Sequence, residues 1–304
     1  MEQFAKKCPA VFVLAAAVLW GSIGLFVRNL NARGFSSMEI VMMRCMLTAV
    51  ILFIYGIAVN RTMFRIHFKD IWCFLGTGIA SILFFNYCYV ASIAYTSMSI
   101  AAVLLYTAPC FVMILSAILF KEKITPKKAI SLIMAFLGCV FVSGVIGGST
   151  GFGGIGFLLG IGSGIGYALY SIFGKFALMR GYSSITITFY TFLIAALGSI
   201  PFVKISGMTD RMVKHPESIW IFAGLAVFVT VIAYMLYTQG LQYMESGQAS
   251  IIACVEPATA TVLGAIVFRE TLDIYSFLGL FFVVGSTILV NINRNRNREV
   301  SYGQ

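Results

Sequence analysis

The sequence predicts an all-α integral membrane protein whose ten transmembrane helices form two inverted repeats of five. Three observations lead to this fold class. Of the 304 residues, 60% are hydrophobic and only 11% are charged, whereas a soluble domain carries about 25% charged residues. Apolar stretches long enough to cross a bilayer recur along the whole chain, and the second half of the sequence repeats the first.

The repeat is clearest in residues 237–270, which match residues 89–122 at a constant separation of 148 residues. The segment RGFSS at 33–37 recurs as RGYSS at 180–184, a separation of 147 that fits a single-residue change in a loop. We therefore expect a tandem duplication, with residues 1–150 as the first five-helix repeat and 151–304 as the second. The matched pairs are Tyr89 and Tyr237, Tyr95 and Tyr243, Pro109 and Pro257, Phe120 and Phe268, and Glu122 and Glu270.

Ten stretches are long enough to span a membrane, which takes about 20 apolar residues for about 30 Å of hydrocarbon. The polar connectors between them are short, and the glycine-rich run GGSTGFGG at 147–154 is the natural boundary between the repeats. We interpret Glu122 and Glu270, at the ends of the fourth and ninth spans, as residues that anchor loops. The predicted spans are 9–27, 37–59, 71–94, 98–120, 128–147, 155–178, 184–203, 218–240, 247–268 and 274–292.

Lysine and arginine residues set the orientation, because cytoplasmic connectors carry an excess of both. With the N-terminus inside, the inner connectors hold more than twice as many basic residues as the outer ones. Both termini are therefore predicted to be cytoplasmic, in a multi-pass protein of the cell membrane, with a short basic cytoplasmic tail. Five spans per repeat turn the second copy upside down, and the basic connector KEKITPKK at 121–128 becomes RETLDIYS at 269–276 on the outer side.

Inverted repeats are typical of secondary transporters, since two copies related by an axis in the membrane plane give two states of similar energy. One state is open to each side of the membrane. Duplication that serves stability alone is the alternative interpretation.

Glu256 is a carboxylic acid at membrane depth, about 12 Å into its predicted span at 1.5 Å per residue. An ionised carboxylate near the bilayer centre costs at least about 2.5–3.5 kcal/mol, so it must face a cavity, pair or be protonated. Pro257 removes a backbone hydrogen bond beside it. Either Glu256 is a coupling residue that takes a proton or a cationic substrate group, or it is a structural carboxylate bonded to nearby hydroxyls or backbone.

Arg44 is the second charged residue predicted at membrane depth, roughly 10 Å from the outer side. Its guanidinium can bind a substrate carboxylate or pair with Glu39. In the alternative interpretation, its long aliphatic stem carries the charge outward to the membrane surface.

Aromatic and amide side chains recur at equivalent depths in the two repeats. Such rings suit apolar or cationic solutes, and their polar tips orient a ligand. Packing between helices, or an aromatic belt at the membrane interface, is the alternative. The pairs are Trp20 with Tyr167 at a separation of 147, and Asn86 with Tyr234 and Tyr89 with Tyr237 at a separation of 148.

Several function classes are disfavoured. The net charge is +10, but the basic residues lie in short runs between apolar stretches, so we expect lipid headgroups rather than nucleic acid as their partners. Both histidines, His67 and His215, fall in polar connectors, and the seven cysteines form no CxxC pair. No metal site, cofactor or enzymatic centre is predicted, and the chain has no P-loop for ATP.

The duplicated segments resemble a known family. LYTAP at 105–109 with LFKEKIT, CVEPATATVLGAIVFRE, and WGS at 20–22 are similar to segments of the EamA-type transporters of the drug/metabolite transporter superfamily. The resemblance implies a monomeric ten-helix bundle around a central cavity, alternating access, and export or exchange of amino acids, related metabolites or cationic compounds. The chain does not resemble the phosphate-translocator branch, whose sites are rich in lysine and arginine.

These observations together predict a secondary active transporter that exports small metabolites such as amino acids, with a small molecule and membrane lipids as its partners. Proton coupling is assigned to Glu256. Transport of aromatic or quaternary-ammonium cations is one alternative, and a membrane scaffold that transports nothing is another. The expected substrate-binding residues are Trp20, Arg44, Asn86, Tyr89, Tyr167, Tyr234, Tyr237 and Glu256.

Overall fold

A computed structural model describes residues 6–143, 145, 154–269 and 271–292. Within these residues the chain is helical and has no β-strand, which confirms the predicted fold class. Most of the boundary run at 147–154, Glu270 and the basic tail lie outside the described residues. The ten spans are Pro9–Ala32, Ser37–Ala58, Phe68–Tyr95, Met98–Phe120, Pro126–Val142, Gly154–Met179, Ser184–Phe202, Ser218–Gln242, Ser246–Phe268 and Ile274–Asn291.

In the part of the chain that is described, nine of these helices are long and apolar enough to cross a membrane. Span five is the tenth, and its 17 described residues are one fewer than the 18 of span ten. Spans five and ten pack along each other where Gly138 lies against Gly279. Many large apolar side chains on the outside of the bundle are exposed, as expected for a surface that faces lipid.

Turn chemistry is repeated in both halves. Span one and span six are each followed by a glycine in the left-handed region, Gly34 with φ 82° and Gly181 with φ 83°, a conformation that glycine adopts without a steric penalty. The next spans begin with serine caps, where Ser36 accepts from the Glu39 amide and Ser183 from the Thr186 amide. The duplicated RGFSS and RGYSS segments therefore encode equivalent helix–turn–helix corners.

Ion pairs show which connectors share a face of the bundle. Asp70, in the first turn of span three, pairs with Arg180 after span six, and Lys128 in span five pairs with Glu245 before span nine. We call this side the basic face. The connectors after spans one and seven meet on the opposite face, where Arg33 pairs with Glu217.

Five spans depart from regular α-helix inside the described chain. Span one is interrupted at Ser22, span four at Tyr106 and Thr107, and span nine at Cys254, just before Glu256. Spans three and eight each contain a π-helical segment, Gly76–Leu83 and Leu225–Ile232. Such irregularities are frequent at functional sites, and discontinuous helices are frequent in transporter cores.

Candidate functional site

Aromatic side chains from spans one, three, six and eight surround a cavity in the centre of the bundle. The indole of Trp20 lies 5.0 Å from the ring of Tyr234 and 5.1 Å from that of Tyr237, between centroids. The cavity has an empty volume of about 270 Å³, its mouth included. Its lining residues are Trp20, Ser81, Ile82, Phe85, Tyr167, Tyr170, Ser171, Tyr234 and Tyr237.

Two polar atoms of the cavity lining have no hydrogen-bond partner among the described residues. They are the indole nitrogen of Trp20 and the hydroxyl of Ser81. Buried polar atoms are normally satisfied, so these two need an explanation. Nε and Nη2 of Arg44, which is outside the lining, also lack a partner among the described residues.

Glu256 lies next to the cavity, although it does not line it. It is ten residues past the start of span nine, about 15 Å along the helix axis and close to the bilayer centre. Its carboxylate accepts a hydrogen bond of 2.9 Å from the hydroxyl of Tyr167, which does line the cavity. The residue as a whole is partly exposed.

Arg44 is only 4% exposed, so the interpretation that its stem carries the guanidinium to the membrane surface is wrong. Pairing with Glu39 is also wrong, because that carboxylate pairs with Arg211. The guanidinium of Arg44 lies within electrostatic range of the hydroxyl of Tyr234 and of the carboxylate of Glu256. Tyr234 lines the cavity, whereas Arg44 and Glu256 do not.

Four of the expected substrate-binding residues are outside the cavity lining. Two of them are Arg44 and Glu256, described above. Asn86 is buried, and its amide donates to the carbonyl oxygen of Ile82 at 2.7 Å. Tyr89 is half-buried and lies within electrostatic range of Glu256. The lining residues come from spans one, three, six and eight.

The sequence analysis missed part of the lining. Tyr170 and Ser171 contact span eight through hydrogen bonds to Thr238 and Tyr237, of 2.8 and 2.7 Å. Ser171 lies one helical turn after Tyr167, so its position on the same face was available as a signal. Tyr170 had no such signal, because it has no aromatic counterpart in the first repeat.

No cluster of three or more histidine, cysteine, aspartate or glutamate side chains that could hold a metal ion occurs among the described residues. The seven cysteines are free thiols, and most of them are buried.

The family profile that matches this chain is that of the EamA-like transporter family, which aligns twice, with residues 8–144 and with residues 154–292. The chain is 27% identical to an uncharacterized transporter of Archaeoglobus fulgidus, over 91% of this chain and 94% of the relative. It is 26% identical to the uncharacterized transporter YxxF of Bacillus subtilis, over 97% and 93%. A solved crystal structure superposes with a TM-score of 0.76 at 14% identity, over 95% of this chain and 98% of that one, and thus shares the fold.

Proposed function

Since the chain belongs to the EamA-like transporter family, we propose that it exports small metabolites such as amino acids by alternating access. The transporter works as a monomer in the cell membrane, with both termini in the cytoplasm. A proton moves in the opposite direction, carried by Glu256.

The single observation that carries this proposal is that opposite charges lie near side chains of one aromatic cavity, Glu256 bonded to Tyr167 and Arg44 within electrostatic range of Tyr234. Glu256 offers a carboxylate, and Arg44 offers a buried guanidinium with two nitrogens that have no partner among the described residues. An α-amino acid has an ammonium group for the first and a carboxylate for the second. The aromatic rings of Trp20, Tyr234 and Tyr237 supply the apolar contact for the side chain and add attraction for the ammonium group.

The cavity is narrow in this state, with room for about one water molecule among its lining residues. Binding of any solute, an amino acid included, therefore requires the lining side chains to move apart.

Exchange follows from the chemistry of one carboxylate. Protonation of Glu256 removes the negative charge that attracts an ammonium group, so a proton and an ammonium group compete for this carboxylate. Binding of the substrate therefore releases the proton on the cytoplasmic side, and binding of a proton releases the substrate on the outer side. A proton gradient directed inward then drives export.

The test uses purified protein in proteoliposomes with a pH-sensitive dye inside. Amino acids are screened for substrate-evoked proton flux in the parent protein and in Glu256→Gln, which keeps the shape of the side chain and removes its proton exchange. Tyr167→Phe is the matched control, because it removes the hydrogen bond to Glu256 and leaves the carboxylate in place. We expect flux in the parent and in Tyr167→Phe, and none in Glu256→Gln.

Substrate movement without proton flux in the parent protein would contradict coupling and leave Glu256 with a structural role. The same screen includes quaternary-ammonium and aromatic cations, because the ring cluster around Trp20 also suits a cation that has no carboxylate. Arg44→Met separates the two substrate classes. It should abolish amino-acid transport and leave transport of a cation without a carboxylate intact.

A further inference from the structure

We propose that spans one and six carry a pair of equivalent gates, and that the structure holds the gate of span six closed and the gate of span one open. The closed gate is the stripe Tyr167, Ser171 and Lys175, and the open gate is the stripe Trp20, Gly24 and Arg28. This inference rests on the alternating access of the proposed function. It does not depend on the substrate or on proton coupling.

The two stripes are copies of each other. Each has residues at positions i, i+4 and i+8 of a helix, which places them on one face, and each residue is separated from its counterpart by 147 positions. The interruption of span one at Ser22 has right-handed helical dihedral angles, φ −81° and ψ −7°, so the face continues across it. Both stripes start at the cavity, with Tyr167 or Trp20, and run to opposite faces of the bundle.

The closed gate is fastened to span eight by polar contacts at successive depths. The hydroxyl groups of Ser171 and Tyr237 lie 2.7 Å apart. One turn further from the cavity, the ammonium group of Lys175 donates to the carbonyl oxygens of Leu241 and Met244 at 2.8 and 2.9 Å. These carbonyls belong to the end of span eight, where backbone acceptors have no partner within the helix and a cation is favoured.

The turn after span eight is held from two further sides. Glu122, at the end of span four, accepts hydrogen bonds from the amides of Ser246 and Gly247 at 2.8 and 3.2 Å. Lys128 pairs with Glu245. Lys175 thus binds the end of one helix and Glu122 the beginning of the next, so the basic face is closed around this turn.

On the opposite face, the space at Gly24, the counterpart of Ser171, is open. A β-carbon added at Gly24 would meet no heavy atom of the described chain within 4 Å, and Gly24 is exposed. The guanidinium of Arg28, the counterpart of Lys175, lies over the ring of Phe268 in span nine, 4.2 Å from its centroid. Tyr89 and Ile93 of span three, the counterparts of Tyr237 and Leu241, are half-buried, whereas Tyr237 and Leu241 are buried. With the proposed orientation, the open gate faces the outside of the cell.

Symmetry then specifies the other state. When the cavity opens to the basic face, spans one and three must close as spans six and eight close now, and Tyr89 must approach Gly24 as Tyr237 approaches Ser171. The closed gate leaves room for a side chain the size of serine, as at Ser171. A side chain larger than serine at Gly24 is accommodated in the present state and obstructs the other one. Since glycine weakens a helix interior, Gly24→Leu should fold well and still lose transport.

Cysteine labelling tests the gates without a known substrate. Gly24→Cys and Ser171→Cys are made separately, and vesicles of each orientation are treated with a membrane-impermeant maleimide. Mass spectrometry of peptides identifies the labelled residue, so the native cysteines stay in place. We expect labelling of Gly24→Cys from the outside and protection of Ser171→Cys from the inside.

Two further variants should change the labelling of Ser171→Cys from the inside in opposite directions. Lys175→Met added to Ser171→Cys should raise labelling from the inside about tenfold or more, because it removes hydrogen bonds from a charged donor. Adding Gly24→Leu to that protein should restore protection, because the open gate can no longer close. Gly154→Leu is the matched control, since Gly154 is another exposed helical glycine with open space around it, and it should change neither labelling nor transport.

Protection of Gly24→Cys from the outside, or unchanged labelling and transport in Gly24→Leu, would overturn the proposal. Should Gly24→Leu fold poorly, folded Gly24→Cys is modified with a bulky maleimide, and retained transport after complete modification would also overturn it. If labelling follows the expected pattern but amino acids evoke no proton flux, the gate proposal is supported and only the proposed substrate and coupling are refuted.

Discussion

At the scale of single residues, the two charges in the membrane were predictable in depth and not in partnership. Ten residues of helix separate Glu256 from the start of its span and place it close to the bilayer centre. This depth follows from counting residues along the sequence. The hydrogen bond from Tyr167 depends on how spans six and nine pack, and no local pattern contains that. Arg44 shows the same limit, because Glu39, the protein partner considered for it, pairs with Arg211, and the guanidinium is buried instead of lying at the membrane surface.

Arg44 gives a prediction in which stability and function oppose each other. Replacing a whole buried pair of charges by neutral side chains is often neutral or stabilising by about 1–4 kcal/mol, so Arg44→Met/Glu256→Gln, which removes both charges, should melt higher than the parent protein. Because Nε and Nη2 of Arg44 have no partner among the described residues, Arg44→Met should melt no lower than the parent. Thermal loss of the monodisperse peak in detergent measures this. Transport of amino acids should be lost in both variants.

A large drop in melting temperature for Arg44→Met would contradict this prediction. It would mean that the guanidinium has a strong structural partner, and Arg44 would then leave the set of proposed substrate-binding residues.

At the scale of helices, the interruptions were only partly predictable. Pro257 signalled that span nine departs from a regular helix beside Glu256, and the helix does break at Cys254. The π-helical segments of spans three and eight carry no proline. In both segments a buried threonine bonds a backbone carbonyl, Thr77 that of Phe74 and Thr230 that of Leu225. Threonine occurs in too many regular helices for this to serve as a signal.

The helix pair of spans five and ten gives a prediction with an internal control. A β-carbon at Gly279 would lie 2.8 Å from the carbonyl oxygen of Gly138 and 2.9 Å from the backbone nitrogen of Val142. Gly279→Ala should therefore destabilise the protein by about 1–3 kcal/mol, since backbone atoms must separate. At Gly285 on the same helix, the added carbon meets only the flexible end of Met134, at 3.0 Å.

Gly285→Ala should accordingly be neutral or stabilising by about 0.5–1 kcal/mol, because alanine favours the helix. Thermal melting of both variants in the same detergent compares them directly. Equal stability of the two variants would show that spans five and ten pack less closely than described.

At the scale of the whole molecule, the architecture was predictable because matching segments recur in the sequence at separations of 147 and 148 residues. HFKDIWCFLG at 67–76 recurs as HPESIWIFAG at 215–224, again at a separation of 148. The recurrence corresponds to equivalent ring pairs on the two faces, Phe74 with Tyr182 and Phe222 with Phe35, each with centroids 5.2 Å apart. The state of the gates could not be predicted in this way, because both states share one sequence.

The duplicated ion pairs indicate which parts of each repeat keep their shape when the gates open and close. Arg180 pairs with Asp70 on the basic face, and its counterpart Arg33 pairs with Glu217 on the opposite face. A contact that alternates between states is formed on one face at a time, as at Lys175. These two pairs are formed together, so they belong to the parts of each repeat that keep their shape while the gates exchange.

Arg180→Gln and Arg33→Gln should therefore leave the labelling rates of Ser171→Cys and Gly24→Cys unchanged. Each should cost no more than about 1 kcal/mol of stability, since both pairs are partly exposed. Lys175→Met, measured in the same vesicles, should shift the labelling of Ser171→Cys. A shift of similar size in Arg180→Gln would place this ion pair in the gate and would mean that the closing motion extends from span six to the first turn of span three.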